Sequence, residues 1–256
     1  MTRLLQFGLS LIGSIIVVRA LGPDRYGQLT VVRTALAFVT ALCGLGLGQA
    51  VLRYLPTART RGDTKMAKQL LQLVVLPQLV AWVVAILAIA VARDFVARIS
   101  FPAMADLFLL GAVLVGAELA FLATNTLSTA FYDSRSLSVV ILGGALAYLA
   151  LAILALKQGY GVAGVLVATA LAQALMAAVL ARRVSRLLAR ISENAPSGSV
   201  SGAPERGETL NGPTLFRYAL PFAAISVMNL LTWRQSESIL LAHFRTLREA
   251  GFWDLA

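Results

Sequence analysis

Apolar residues in this chain come in long runs broken by short polar corners. Charge is absent from 70–92, 107–117, 119–132, 137–156 and 162–181. Crossing the hydrocarbon core of a bilayer takes about 20 mostly apolar residues as helix. The pattern predicts seven spanning helices, over 4–21, 26–54, 68–91, 103–132, 137–156, 162–181 and 215–244. A β-barrel needs short segments of alternating hydrophobicity, which runs this long exclude. The sharpest corner is Leu21-Gly22-Pro23-Asp24. Gly22 costs backbone order in a helix, and Pro23 removes a donor and fixes φ. Residues 56–68 form a basic loop, 93–102 a second corner, 133–136 a short turn and 157–161 a closing turn. Pro77 predicts a kink in the third span.

Helical spacing sorts the polar residues within the spans onto faces. Gln6, Ser10, Gly13 and Val17 share one face of the first span. Arg33, Ala37, Thr40, Gly44 and Gly48 share one of the second. There the run Gly44-Leu45-Gly46-Leu47-Gly48 lets another backbone approach closely or loosens the helix. Glu118, Leu122, Asn125 and Thr129 share a face of the fourth, and Thr169 and Gln173 lie one turn apart in the sixth. Beyond it, 182–190 is a basic amphipathic extension, expected on the anionic inner leaflet. Residues 192–213 are rich in Ser, Gly, Pro and Glu and predict a disordered linker.

Composition fits this class. Of 256 residues, 59% are hydrophobic and 13% charged, where soluble domains carry about 25% charged. The net charge of +10 does not imply nucleic acid, because no basic groove is interleaved with aromatics. Basic residues instead flank spans, as the positive-inside rule describes. With the N-terminus inside, thirteen Lys and Arg fall on the cytoplasmic side and seven outside. That orientation puts the linker inside and the Gly22-Pro23 corner outside. Cys43 is the lone cysteine, so no disulfide framework or cysteine metal cluster is expected, and no cofactor. The first apolar run meets Arg19 and Leu-Gly-Pro rather than a small-residue cleavage site, and reads as a retained span.

Three segments carry a family resemblance. Arg19-Ala20-Leu21-Gly22-Pro23-Asp24-Arg25-Tyr26-Gly27 resembles the corner after the first helix of Wzx-type polysaccharide flippases, in the superfamily of multidrug and oligosaccharidyl-lipid exporters. Residues 44–54 resemble the end of their second helix. Leu220-Pro221-Phe222 with Gln235-Ser236-Glu237-Ser238 resembles their seventh, where Asp usually stands in place of Glu237. The resemblance implies an all-α polytopic fold of two six-helix lobes. An echo of Arg25-Tyr26-Gly27-Gln28-Leu29 in Glu249-Ala250-Gly251-Phe252-Trp253 marks the start of the second lobe. The expected domains are a six-helix lobe over 1–181, a basic and disordered cytoplasmic linker over 182–213, and over 214–256 the first helix of a second lobe and the start of the next. Ending there, the chain is expected to be a C-terminally truncated member.

The resemblance also implies a function. A polyprenyl-pyrophosphate-linked oligosaccharide would be moved from the cytoplasmic to the outer leaflet of a bacterial inner membrane, without chemical change, with proton or sodium coupling. The alternatives are a non-transporting membrane subunit, partnered by a polysaccharide polymerase or a separate C-terminal half, and a cation-coupled multidrug antiporter. A membrane glycosyltransferase would need a sizeable outer loop or clustered acids and bases.

Ionisable groups within spans usually face a cavity or a partner. Arg33 lies seven residues into its helix, roughly 10 Å deep. It reads either as a phosphate or sugar contact or as snorkelling to the interface. Glu118 sits mid-span, as a proton-coupling carboxylate or a hydrogen-bonded packing residue, with Asn125 on its face. Arg234 and Glu237 are three apart and can pair on one helix, as structure or as a gate. These five are the candidate substrate-binding residues. Gln6, Gln173 and Asn229 read as polar glue between helices, ahead of sugar-hydroxyl ligands, Arg53 as a cytoplasmic anchor ahead of a catch for an entering phosphate, and His243 as an interface residue. Trp82, Trp233 and Trp253 offer no stacking platform by spacing.

Overall fold

A computed structural model describes residues 2–60, 64–99, 104–193, 212–232 and 235–255. The described residues form α1 (Thr2–Leu21), α2 (Pro23–Gly44), α3 (Leu47–Thr60), α4 (Thr64–Ile99), α5 (Ala105–Ala130), α6 (Ser134–Lys157), α7 (Gly161–Glu193), α8 (Gly212–Thr232), α9 (Gln235–Phe244) and α10 (Leu247–Leu255). Among the described residues, five stretches are long and apolar enough to cross a membrane: Pro23–Gly44, Met66–Ala92, Ala105–Ala130, Ser134–Lys157 and Gly161–Leu187. α1 adds a shorter apolar stretch, Phe7–Leu21. Along α4 the side chains of Leu76, Val80, Val83, Val84 and Leu87 are exposed. Such a row suits lipid and not water. The chain is an all-α polytopic membrane protein.

The first corner forms as its residues dictate. Gly22 takes φ 75°, open to glycine without steric cost, and Pro23 starts α2 with its fixed φ. The second span departs from expectation. It is two helices, because Leu45 (φ 50°) and Gly46 (φ 64°) are both left-handed and end α2. A Cβ on Gly46 would also strike the α8 backbone at Ala219, Phe222 and Ala223. The expected corner at 93–102 is largely helical, since α4 runs to Ile99. The basic stretch after 181 continues α7 without a break to Glu193, as Arg, Leu and Ala favour helix. Most of the expected linker lies outside the described residues. The expected seventh span corresponds to α8 and α9, with Pro221 inside α8.

Two apolar clusters hold the helices. One joins the C-terminal half of α1 with α2, α5, α6, α7, α9 and α10, around Leu29, Val31, Val32 and Val165. The other joins α3, the first turns of α4, the end of α5, Val184 of α7 and Leu215 and Ala219 of α8. Lipid removes most of the hydrophobic drive between helices, so close packing at small residues replaces it. Ala112, Ala152, Ala168 and Ala172 are buried accordingly. The Trp82 indole N–H donates to the Ala112 carbonyl at 2.9 Å and ties α4 to α5. Finally, α10 lies along α2, with Gly251 against Gly27 and Pro23.

Candidate functional site

The polar face of α2 organises the site. Thr30, Arg33, Thr34 and Ala37 line a cavity of about 440 Å³. α5 contributes Gly111, Leu114, Val115 and Glu118, α7 contributes Leu166, Thr169, Ala170 and Gln173, and α10 contributes Trp253. Further along the same face, Ala37, Thr40 and Gly44 border a second cavity of about 420 Å³, which Gly48 of α3 also lines. Glu118 borders both. Its Oε2 accepts a hydrogen bond from Thr40 Oγ1 at 3.2 Å. A third cavity, about 820 Å³, shares Arg33, Thr169 and Gln173 with the first.

These residues reach one place through simple periodicity. Residues three and four apart share a helix face, so Thr30, Arg33, Thr34 and Ala37 form one stripe on α2. Thr169 and Gln173 do the same on α7. Arg33 is exposed within the structure and Glu118 half-buried. The first cavity therefore offers a guanidinium, a carboxyl, three threonines and a glutamine. Guanidinium pairs with phosphate or carboxylate in bidentate fashion, and hydroxyl and amide groups suit a hydroxyl-rich ligand. Among the described residues no group of three or more His, Cys, Asp or Glu could hold a metal ion.

The five candidates separate. Arg33 and Glu118 share the first cavity. Asn125 lines the third cavity and not the first. Glu237 is exposed on α9 and borders none of the three. Arg234 lies outside the described residues, as do Trp233 and the side chains of Gln6 and His243. Asn229 is exposed on α8 and borders none of these cavities. Gln173, read as interhelical glue, is a cavity residue. Trp253, set aside on spacing, forms part of the first cavity wall. Thr30 and Thr34 carried a usable signal, their spacing from Arg33.

Arg53 does more than face an interface. Its guanidinium carbon lies 4.7 Å from the Tyr218 ring centre and 5.4 Å from that of Tyr54. The two tyrosine rings meet edge to face at 6.0 Å. A cation over aromatic faces is attracted by the ring quadrupole, so Arg53 joins α3 to α8.

Comparison with curated proteins and with solved structures returned no match. A family model described as polysaccharide biosynthesis protein matches residues 1–256. The chain belongs to the polysaccharide biosynthesis protein family, that of the Wzx-type flippases.

Proposed function

We propose that the protein is a flippase that moves a polyprenyl-pyrophosphate-linked oligosaccharide from the cytoplasmic to the outer leaflet of a bacterial inner membrane. The observation that carries this reading is the shared cavity of Arg33 and Glu118 inside the helical bundle. Charged groups are expensive at that depth and mark substrate or ion paths. Arg33 meets the phosphates. Thr30, Thr34, Thr169 and Gln173 meet sugar hydroxyls, with Trp253 as an apolar sugar-facing wall. Glu118, between two cavities, couples transport to a proton or sodium ion. Asn125, on the third cavity, serves a secondary contact along the path. No bond in the substrate breaks, so the protein acts as a transporter and not an enzyme. The N-terminus lies in the cytoplasm, and 1–181 works as a lobe joined by 182–213 to the segment 214–256.

The test is surface-glycan export from a strain whose own copy of this gene carries Arg33→Ala, Glu118→Ala or both. Loss of surface glycan, with the lipid-linked precursor accumulating inside, is the expected result. Normal glycan with both substitutions would sink the proposal.

A further inference from the structure

The largest of these three cavities lies behind α1. That helix packs chiefly on α6 and α2, and the 820 Å³ space separates it from the α5 and α7 walls. Its two ends differ in chemistry. Arg33, Thr169 and Gln173 form the wall shared with the first cavity. Away from it, Leu11, Ile15, Ile141 and Met176 make an apolar lining, interrupted by Ser14, Asn125 and Tyr148. Leu11 and Ile15 line the space and are 49% and 44% exposed.

An apolar space inside a bilayer protein is a poor home for water and a good one for hydrocarbon. The volume falls in the range of ligand pockets, about 300–1,000 Å³. A guanidinium at one end of an apolar space is complementary to one kind of ligand, an anionic amphiphile. We propose that this cavity holds the isoprenoid chain of the lipid-linked substrate along α1, with its phosphate at Arg33 and its glycan in the first cavity. This rests on the reading of the first cavity as the glycan site. It adds that the chain enters the bundle behind α1 and does not stay wholly in bulk lipid.

The test uses the full chain in phosphatidylcholine nanodiscs. The probe is geranylgeranyl phosphate with a diazirine at the far end of its chain, followed by peptide mapping of the label. Label is expected on α1 near Leu11 and Ile15 and on α6 near Ile141. Unlabelled geranylgeranyl phosphate should compete, and geranylgeraniol and phosphatidylglycerol should not. Ala145→Trp, which fills the cavity from α6, should cut labelling about tenfold, because a packed site rejects added volume. If that variant does not fold, the competition series in the unaltered chain decides. Label confined to the exposed row of α4, or equal competition by phosphatidylglycerol or the alcohol, overturns the proposal. Export lost on Arg33→Ala with label only on α4 defeats the tail pocket and leaves the flippase reading. Phosphate-dependent label on α1, with export unaffected by either substitution, does the reverse.

Discussion

Gly27 and Gly251 lie backbone against backbone where α10 crosses α2. A methyl built on Gly251 falls 3.1 Å from the Gly27 nitrogen and from the Pro23 carbonyl oxygen. One built on Gly27 overlaps the Leu247 carbonyl. These glycines hold matching places in the echoed segments 25–29 and 249–253. The two corners therefore touch each other; a neighbouring backbone occupies the space of a Cβ at Gly27 and crowds it at Gly251. The contact also brings Trp253, two residues on, to the wall of the first cavity.

Gly27→Ala should force the crossing apart. Overpacking costs typically 1–3 kcal/mol, and each kcal/mol moves the melting temperature of a chain this size by about 2–4 °C. A thermal melt of the purified protein in detergent should fall by several degrees for Gly27→Ala. Gly251→Ala should fall less, since its neighbours need give only slightly. A Gly27→Ala melt equal to the parent would show that α10 is not held against α2.

Asp133 and Arg183 form a two-point ion pair between the α5–α6 turn and the basic end of α7, its second contact at 3.4 Å. Burial alone would raise the Asp133 pKa. Hydrogen bonds from Ser136 and Arg183 and the guanidinium charge outweigh it and hold the carboxyl below its ordinary value. The native state thus favours the carboxylate. The added stability is present above the unfolded value, near pH 4, and is lost as pH falls through the lower native value. Arg183 is half exposed, so the pair is worth about 0.2–1 kcal/mol. Asp133→Asn should lower the melting temperature by up to about 4 °C at pH 7. The gap should close as pH drops toward 3, and a gap constant with pH would assign the loss to something other than the ion pair.

The spans were legible because a bilayer demands long apolar runs, and Gly22-Pro23 stops one within a residue of where α1 ends. Where α2 breaks was not. The run Gly44 to Gly48 offers three glycines, and contact with α8 at Ala219, Phe222 and Ala223 decides which one turns. No local preference would place Leu45 in a left-handed conformation. Arg33 and Glu118 stood out as charges inside apolar runs, but their shared cavity depends on how α2 lies against α5. Trp253 was illegible for the same reason, since α10 reaches the cavity only by folding back along α2.

The α2–α3 break makes opposite predictions for adjacent residues. A left-handed conformation costs a residue with a Cβ roughly 1–2 kcal/mol. Leu45→Gly removes that strain but gains backbone freedom when unfolded, and Leu45 is only half-buried. Its melt should match the parent or exceed it by a few degrees. Gly46→Ala adds strain and drives a methyl into the α8 backbone, so its melt should fall clearly. Equal losses from both would mean that Leu45 packing, and not conformation, governs the break.

Thr40 and Glu118 allow charge to be separated from hydrogen bonding. The carboxylate accepts from the hydroxyl at 3.2 Å, and gains from such bonds run about 0.5–1.5 kcal/mol, or more to a charged group. Thr40→Val removes the donor at nearly constant shape. It should lower the melting temperature by a few degrees, with water from the adjoining cavities limiting the loss, and leave export largely intact. Glu118→Gln keeps an acceptor oxygen within reach of Thr40 and discards the charge. Its melt should match the parent, while export should drop about tenfold or more, equivalent to ~1.4 kcal/mol in the limiting step. Export unchanged in Glu118→Gln but lost in Thr40→Val would make the pair a structural link between α2 and α5. The coupling role would then have to leave Glu118.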